Sequence, residues 1–228
     1  MVLSAICTAI FLVFIVDSSL PGARFAVVFK VGSIALLVLI AAMATASRML
    51  LVAALGFSCV GDFFLGMRRL GTFGPEKLFL AGLVSFLIAH LFYVALFVKG
   101  RTRSVHATRK MACVLVTVVA VASLVVLWPG LGPMHAPVLA YSLVLTTMAV
   151  TAQWSRYPMI VALGALSFVA SDTMLAVSIF GHPFRGLHVL VWVTYYAAQA
   201  MIAVGVVRAL PKPMSLGASF DRTDISAR

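Results

Sequence analysis

Apolar runs broken by short basic or glycine- and proline-rich joints recur from one end of the chain to the other. They cover about residues 2–16, 25–46, 49–67, 77–98, 111–128, 136–153, 158–180 and 188–209. Each is within or close to the ~17–25 residues that carry an α-helix across hydrocarbon. The pattern predicts an all-α, polytopic membrane protein whose eight transmembrane helices form one domain, residues 1–210. The joints LPGA, WPGLGPMHAP and FGHPFRG are turn formers, and no joint is long enough to hold a soluble domain. Residues 211–228 are polar and are expected to form a disordered tail. A signal peptide is the rival reading of the first run. That run lacks a basic leading segment and an A-x-A cleavage site, so a first membrane helix is expected instead.

Composition agrees with the pattern. Of 228 residues, 63% are hydrophobic and 10% charged, and the mean hydropathy is +1.14. Soluble domains carry roughly 25% charged residues. The net charge of +11 raises the question of nucleic acid, but a nucleic-acid binder gathers its basic residues on one folded surface. Here they lie between apolar runs, and no nucleic-acid partner is expected. Eight spans put both termini on one side. Arg48, the five basic residues from Lys99 to Lys110, Arg156, Arg208, Lys212, Arg222 and Arg228 fall on that side, eleven in all. The six others are Arg24, Lys30, Arg68, Arg69, Lys77 and Arg185. The positive-inside rule therefore predicts cytoplasmic termini. Cys7, Cys59 and Cys113 are far apart, without CxxC or metal spacing, and read as reduced residues in apolar surroundings.

The chemistry is carried by the few ionisable side chains inside the runs. Asp62 sits in the third run and Asp172 in the seventh. An intramembrane carboxylate is costly enough to be a functional-site hypothesis by default. His90 and Tyr93, at i and i+3 of the fourth run, project from one helix face. VGDFFL and ASDTML share a small residue, Asp, two residues and Leu, and the next run in each half carries polar groups, among them Tyr195, Tyr196 and Gln199 in the eighth. A 4+4 parallel repeat would bring both halves together around one cavity. The rise per residue places Asp62 roughly 8 Å and Asp172 roughly 12 Å from the same ends of their helices. Tyr93, Tyr141, Tyr195, Tyr196, Gln199 and Ser171 are candidates for lining the cavity or holding the carboxylates. Lys30 has two readings: a snorkelling lysine, or a cation that neutralises an aspartate or binds lipid phosphate. His135, His182 and His188 fall at helix ends, where solvated roles are expected.

GDFFL, FLAGLVSFLIAHLFY, YSLVLTTMAVTA, ALGALSFVASD and YYAAQ occur in this order and together resemble the YhhN-type membrane proteins, which include the lysoplasmalogenases. The resemblance runs from about Lys30 to Gln199. It implies an eight-helix membrane hydrolase, without a metal or other cofactor, that opens the vinyl ether of a lysoplasmalogen. The products implied are a fatty aldehyde and a glycerophospho-alcohol, the partners a lysophospholipid substrate and membrane lipids, and the location a bacterial cell membrane. It makes Asp62 and Asp172 the catalytic pair, with Lys30, His90 and Tyr93 at family-like positions. The chemistry is coherent on its own terms. A vinyl ether opens when its β-carbon is protonated, so the site needs one carboxylic acid and one carboxylate, a division of labour known from glycosidases. A low-dielectric site and two neighbouring carboxyls keep one of them protonated.

Two other classes compete. A proton-coupled transporter would use the same midplane carboxylates. A zinc-dependent amidase of the ceramidase kind would need about three ligands around an open metal position, and only His90 lies deep in a span. The sequence leaves the head group and the oligomeric state open.

Overall fold

The computed structural model describes residues 1–16, 25–44, 49–70 and 74–209. Among them are eight α-helices: α1 (Val2–Val16), α2 (Ala26–Ala44), α3 (Met49–Leu70), α4 (Pro75–Lys99), α5 (Ala107–Leu127), α6 (His135–Gln153), α7 (Met159–Phe180) and α8 (Leu187–Ala209). Helices α2 to α8 are long and apolar enough to cross a membrane; α1, with 15 residues, is shorter. The expected all-α membrane architecture is what the chain forms. The tail at 211–228, and the joints holding Arg24 and Arg48, lie outside the described residues.

The helix ends follow local chemistry. Pro75, whose missing N–H costs nothing in a first turn, opens α4, and the Gly100 N–H closes it on the Leu96 carbonyl at 3.2 Å. Pro158 precedes α7, and the Gly181 N–H caps it on the Val177 carbonyl at 3.0 Å. Between α5 and α6 the chain winds through two 3₁₀ turns, Trp128–Gly130 and Gly132–Met134, where Gly132 takes φ +50°. Helix α3 runs three residues past the expected end and takes the Arg68–Arg69 pair into its last turn. Arginine is a good helix former, and a cation suits the negative end of the helix dipole.

Lipid tails are as apolar as leucine, so helices in a bilayer associate through close packing rather than through exclusion of water. The tightest contacts form where glycine lets backbones approach. A Cβ on Gly82 of α4 would stand 2.9 Å from Leu65 of α3 and 3.4 Å from the Gly61 carbonyl. One on Gly164 of α7 would stand 3.0 Å from the Ala198 carbonyl of α8. Fully buried Leu37, Leu55, Tyr93, Phe97, Phe168 and Ile202 fill the centre. Helix α5 is peripheral: only Val116 and Leu127 are buried, and Leu115, Val118 and Val125 face outward.

Both ends of the bundle are tied. At one, the Arg109 guanidinium donates to the carbonyls of Gln153, Ser155 and Tyr157 at 3.2, 2.9 and 3.1 Å, joining the start of α5 to the α6–α7 joint. At the other, Phe79 of α4 meets Phe180 of α7 edge to face at 5.9 Å. Helices α3 and α7 therefore run in the same direction. Asp62 and Asp172 each lie eight residues before the last residue of their helix, about 12 Å by the helical rise. The longer α3 replaces the expected 8 Å for Asp62, so the two carboxylates stand equally far from the ends of their helices.

Candidate active site

Asp62 is buried, and each oxygen of its carboxylate has a partner. The Lys30 ammonium of α2 lies 2.8 Å from Oδ1, and the Tyr195 hydroxyl of α8 donates to Oδ2 at 2.6 Å. Lys30 sits over the Trp192 ring, 5.6 Å from its centroid, with its side chain 16% exposed. Of its two readings, the partner of an aspartate is the one the structure adopts. Behind Tyr195, Gln199 Nε2 donates to the phenol oxygen at 3.2 Å and the Tyr93 hydroxyl donates to Gln199 Oε1 at 2.5 Å. Lys30, Asp62, Tyr195, Gln199 and Tyr93 thus form one chain of polar contacts across α2, α3, α8 and α4. A charge in hydrocarbon survives when paired and hydrogen-bonded in this manner.

Asp172 is held differently. The Tyr141 hydroxyl of α6 donates to its Oδ2, and among the described residues no cation stands within ion-pair distance of it. Asp172 and Tyr141 line two clefts at once. One lies among α3, α4, α6 and α7 and is lined by Leu65, Phe79, Phe86 and Phe180. The other lies among α5, α6 and α7 and is lined by Ala120, Leu124, Leu145 and Val169. Val138, Tyr141, Asp172 and Ala176 belong to both walls.

An aromatic cluster links the surroundings of the two aspartates. Phe86 lines the first cleft and meets Tyr195, the partner of Asp62, edge to face at 5.9 Å. Phe168 meets Tyr195 at 5.4 Å and His90 at 4.7 Å, and His90 meets Tyr141 at 5.4 Å. His90 is fully buried, and its Nδ1 lies 2.7 Å from the Phe86 carbonyl. A carbonyl only accepts, so Nδ1 carries the hydrogen and Nε2 presents a bare lone pair. That nitrogen has no partner among the described residues.

Of the residues singled out in the sequence, Lys30, Tyr93, Tyr195 and Gln199 gather at Asp62, Tyr141 at Asp172, and His90 beside Tyr141. Ser171 and Tyr196 point elsewhere. Ser171 donates to the Val191 carbonyl of α8 at 3.0 Å, and Tyr196 shares a hydrogen bond of 2.9 Å with Ser4 of α1. Both tie helices together, the usual work of hydroxyls in a membrane. Sequence reading passed over Phe86, which lines the first cleft, and Phe168 and Trp192, whose rings pack against Tyr195. Phe86 lies four residues before His90 and so on its helix face, a signal that was available. Among the described residues no three His, Cys, Asp or Glu side chains converge as a metal set would.

A bundle of long apolar helices enclosing two differently held aspartates defines a multi-pass membrane protein with an internal polar site. Its sequence matches the model of the YhhN family over residues 25–206, and the chain belongs to that family. It is 34% identical over 177 residues to proteins named lysoplasmalogenase from Mycobacterium bovis and Mycobacterium tuberculosis. The match takes in 74% of this chain and spans 66% of the length of each relative. No solved structure matches.

Proposed function

We propose that this protein is a membrane hydrolase that cleaves the vinyl ether of a lysoplasmalogen-like lysophospholipid, releasing a fatty aldehyde and a glycerophospho-alcohol. The names of its relatives support this reading. The observation that carries it is Asp172, bound by Tyr141 on the wall common to two clefts, together with an Asp62 held as a carboxylate by Lys30 and Tyr195. Two neighbouring carboxyls in low dielectric do not both ionise, and the one with the cation keeps the charge. Asp62 is then the permanent anion and Asp172 the acid.

In this mechanism Asp172 gives its proton to the β-carbon as the double-bond pair forms the new C–H bond. The ether oxygen shares its lone pair to make an oxocarbenium ion, which the field of Asp62 stabilises. Water adds to the α-carbon and returns a proton to Asp172. The hemiacetal breaks at the glyceryl oxygen, which takes up the hydroxyl proton, and the aldehyde leaves. The net reaction consumes one water. The excess of basic residues on the terminus side, eleven against six, supports cytoplasmic termini, and a bacterial cell membrane is the location that goes with this reading.

The test is turnover of a 1-alkenyl lysophosphatidylethanolamine by purified protein in nanodiscs, run in D₂O. The mechanism predicts fatty aldehyde with one deuterium at the carbon next to the carbonyl, and loss of product in Asp172→Asn and Asp62→Asn variants that remain folded. Near-normal turnover in either variant, or aldehyde without deuterium, would overturn it.

A further inference from the structure

We propose that Arg68 is the phosphate anchor of this lipid site, and that the single chain of the bound lipid runs past Asp172 into the cleft among α5, α6 and α7. The inference rests on the hydrolase reading for its substrate class and goes beyond it in assigning where each part of the lipid lies.

Arg68 occupies the last turn of α3, where a bundle in a bilayer meets the head groups. Its guanidinium carbon lies 5.2 Å from the centre of the Phe79 ring, and Phe79 lines the first cleft together with Phe180. The cation therefore stands on the rim of that cleft. It has no carboxylate within ion-pair distance among the described residues. A planar, permanently charged fork of donors at a lipid interface is suited to phosphate.

The order of groups along the path matches the order of groups in a lysophospholipid. From the rim at Phe180 the first cleft leads eight residues down α7, about 12 Å, to Asp172. An extended glycerophosphate, with the reach of an arginine side chain, bridges such a distance and puts the sn-1 ether oxygen beside the carboxyl. Beyond Asp172 the second cleft continues to Leu145 and Val169, deeper than the aspartate. Four serine and threonine side chains line that cleft, Ser123, Ser142, Thr146 and Thr173, and two of them are spent on their own helices. Ser123 donates to the Val119 carbonyl at 2.7 Å and Thr146 to the Ser142 carbonyl at 2.7 Å. Most of the remaining wall is alkyl surface from Ala120, Leu124, Leu127, Leu145 and Val169, and its α5 side borders the least buried of the long helices. A hydrocarbon chain fits this arm, and a head group does not.

Binding of uncleavable lipids tests the assignment apart from catalysis. The ligands are a saturated 1-alkyl lysophosphatidylethanolamine and the 1-alkylglycerol that lacks the phosphate, titrated by native mass spectrometry into folded protein. Arg68→Gln is expected to weaken the lysophospholipid about tenfold, the scale of one charge-assisted hydrogen bond. It should leave the alkylglycerol unchanged. Arg68→Lys should recover part of the loss, and Arg208→Gln, at the opposite end of the bundle, should change neither. Ala120→Trp, which fills the second cleft from α5, should weaken long-chain ligands while sparing short ones. Equal affinities in wild type and Arg68→Gln, or equal loss of both lipids, would overturn the anchor. Uniform binding of all chain lengths by Ala120→Trp would overturn the chain path. A protein that cleaves no vinyl ether but shows the Arg68 effect would refute the activity and keep the site. One that cleaves it with an unchanged KM in Arg68→Gln would do the reverse.

Discussion

Replacing Lys30 by methionine keeps the apolar stem and removes the ammonium that stands 2.8 Å from Asp62 Oδ1. At an effective dielectric near 20, charges at this distance attract by about 6 kcal/mol. The net effect is smaller than that, because desolvation of both groups opposes the attraction. Breaking one side of a buried pair costs about 3–5 kcal/mol, since the remaining charge is stranded. Asp62 has an escape, which is to take up a proton, and the Tyr195 hydroxyl remains to hold one oxygen. Together these put the expected loss for Lys30→Met near the lower figure, about 3 kcal/mol. Asp62→Asn should cost less, because Lys30 is partly exposed and its long stem can carry the ammonium outward. The double variant has no stranded charge. It should be more stable than Lys30→Met alone, with a coupling of about 2 kcal/mol or more in the double-mutant cycle. The assay is reversible unfolding in mixed micelles, followed by near-UV circular dichroism, with aldehyde release measured on the same samples. All three variants should lose turnover, including the well-folded double variant, because the permanent anion is gone. Additive losses would refute the pairing as an energetic unit. Turnover in the double variant would refute the electrostatic role given to Asp62.

Four further outcomes follow from other contacts. Tyr141→Phe removes the one hydroxyl on Asp172 and should lower kcat by about tenfold or more with little change in unfolding, the scale of a hydrogen bond to a reacting carboxyl. Gly61→Ala would put a Cβ 2.6 Å from the Phe86 ring, so unfolding should come about 1–3 kcal/mol sooner and turnover should fall as the cleft wall shifts. Ser171→Ala loses one interhelical hydrogen bond, worth about 0.6 kcal/mol, and should keep turnover within about threefold of wild type; Tyr196→Phe should behave alike. Arg109→Ala frees three carbonyls and should cost about 1.5–3 kcal/mol, seen as faster amide exchange at residues 153–157.

Much of this was legible in the sequence for one reason: in a bilayer the backbone must satisfy itself, so an apolar run of the right length has only one way to fold. Helix α4 came out within two residues at its N-terminus and one at its C-terminus because Pro75 and Gly100 punctuate it. The end of α3 was misjudged where arginines replace apolar residues, since hydropathy falls there while helix propensity does not. At the site, Asp62, Asp172 and Lys30 stood out because charge is rare in hydrocarbon. Tyrosine and serine are not rare, and one-dimensional spacing could not tell Tyr195, which reaches Asp62, from its neighbour Tyr196, which turns to Ser4. Adjacent residues on a helix differ by about 100° in direction, so only the packing of α8 against α2 and α3 decides which one faces the carboxylate. Phe168 was hidden by abundance among sixteen phenylalanines, whereas Phe86 could have been found from its spacing to His90.

The sequence echo between VGDFFL and ASDTML suggests two equivalent halves, yet the aspartates it places at equal depth are held by opposite means. The difference has a source outside the echoed segments. Helix α2 brings Lys30 to Asp62, while on the Asp172 side the neighbouring helix α6 brings a phenol, Tyr141. A cation fixes charge, and a neutral donor leaves a carboxyl free to change protonation state. An acid-labile substrate needs both kinds at once, because an oxocarbenium ion is reached by proton transfer and survives only beside a standing negative charge. Two equally paired aspartates would give no acid, and two unpaired ones would share a proton without a fixed anion. The test of this asymmetry is to remove it. Tyr141→Lys offers Asp172 a cation of its own, so the protein should unfold no earlier than Tyr141→Phe and yet lose aldehyde release entirely. If Tyr141→Lys turned over as fast as Tyr141→Phe, the division of labour between the two carboxyls would be wrong.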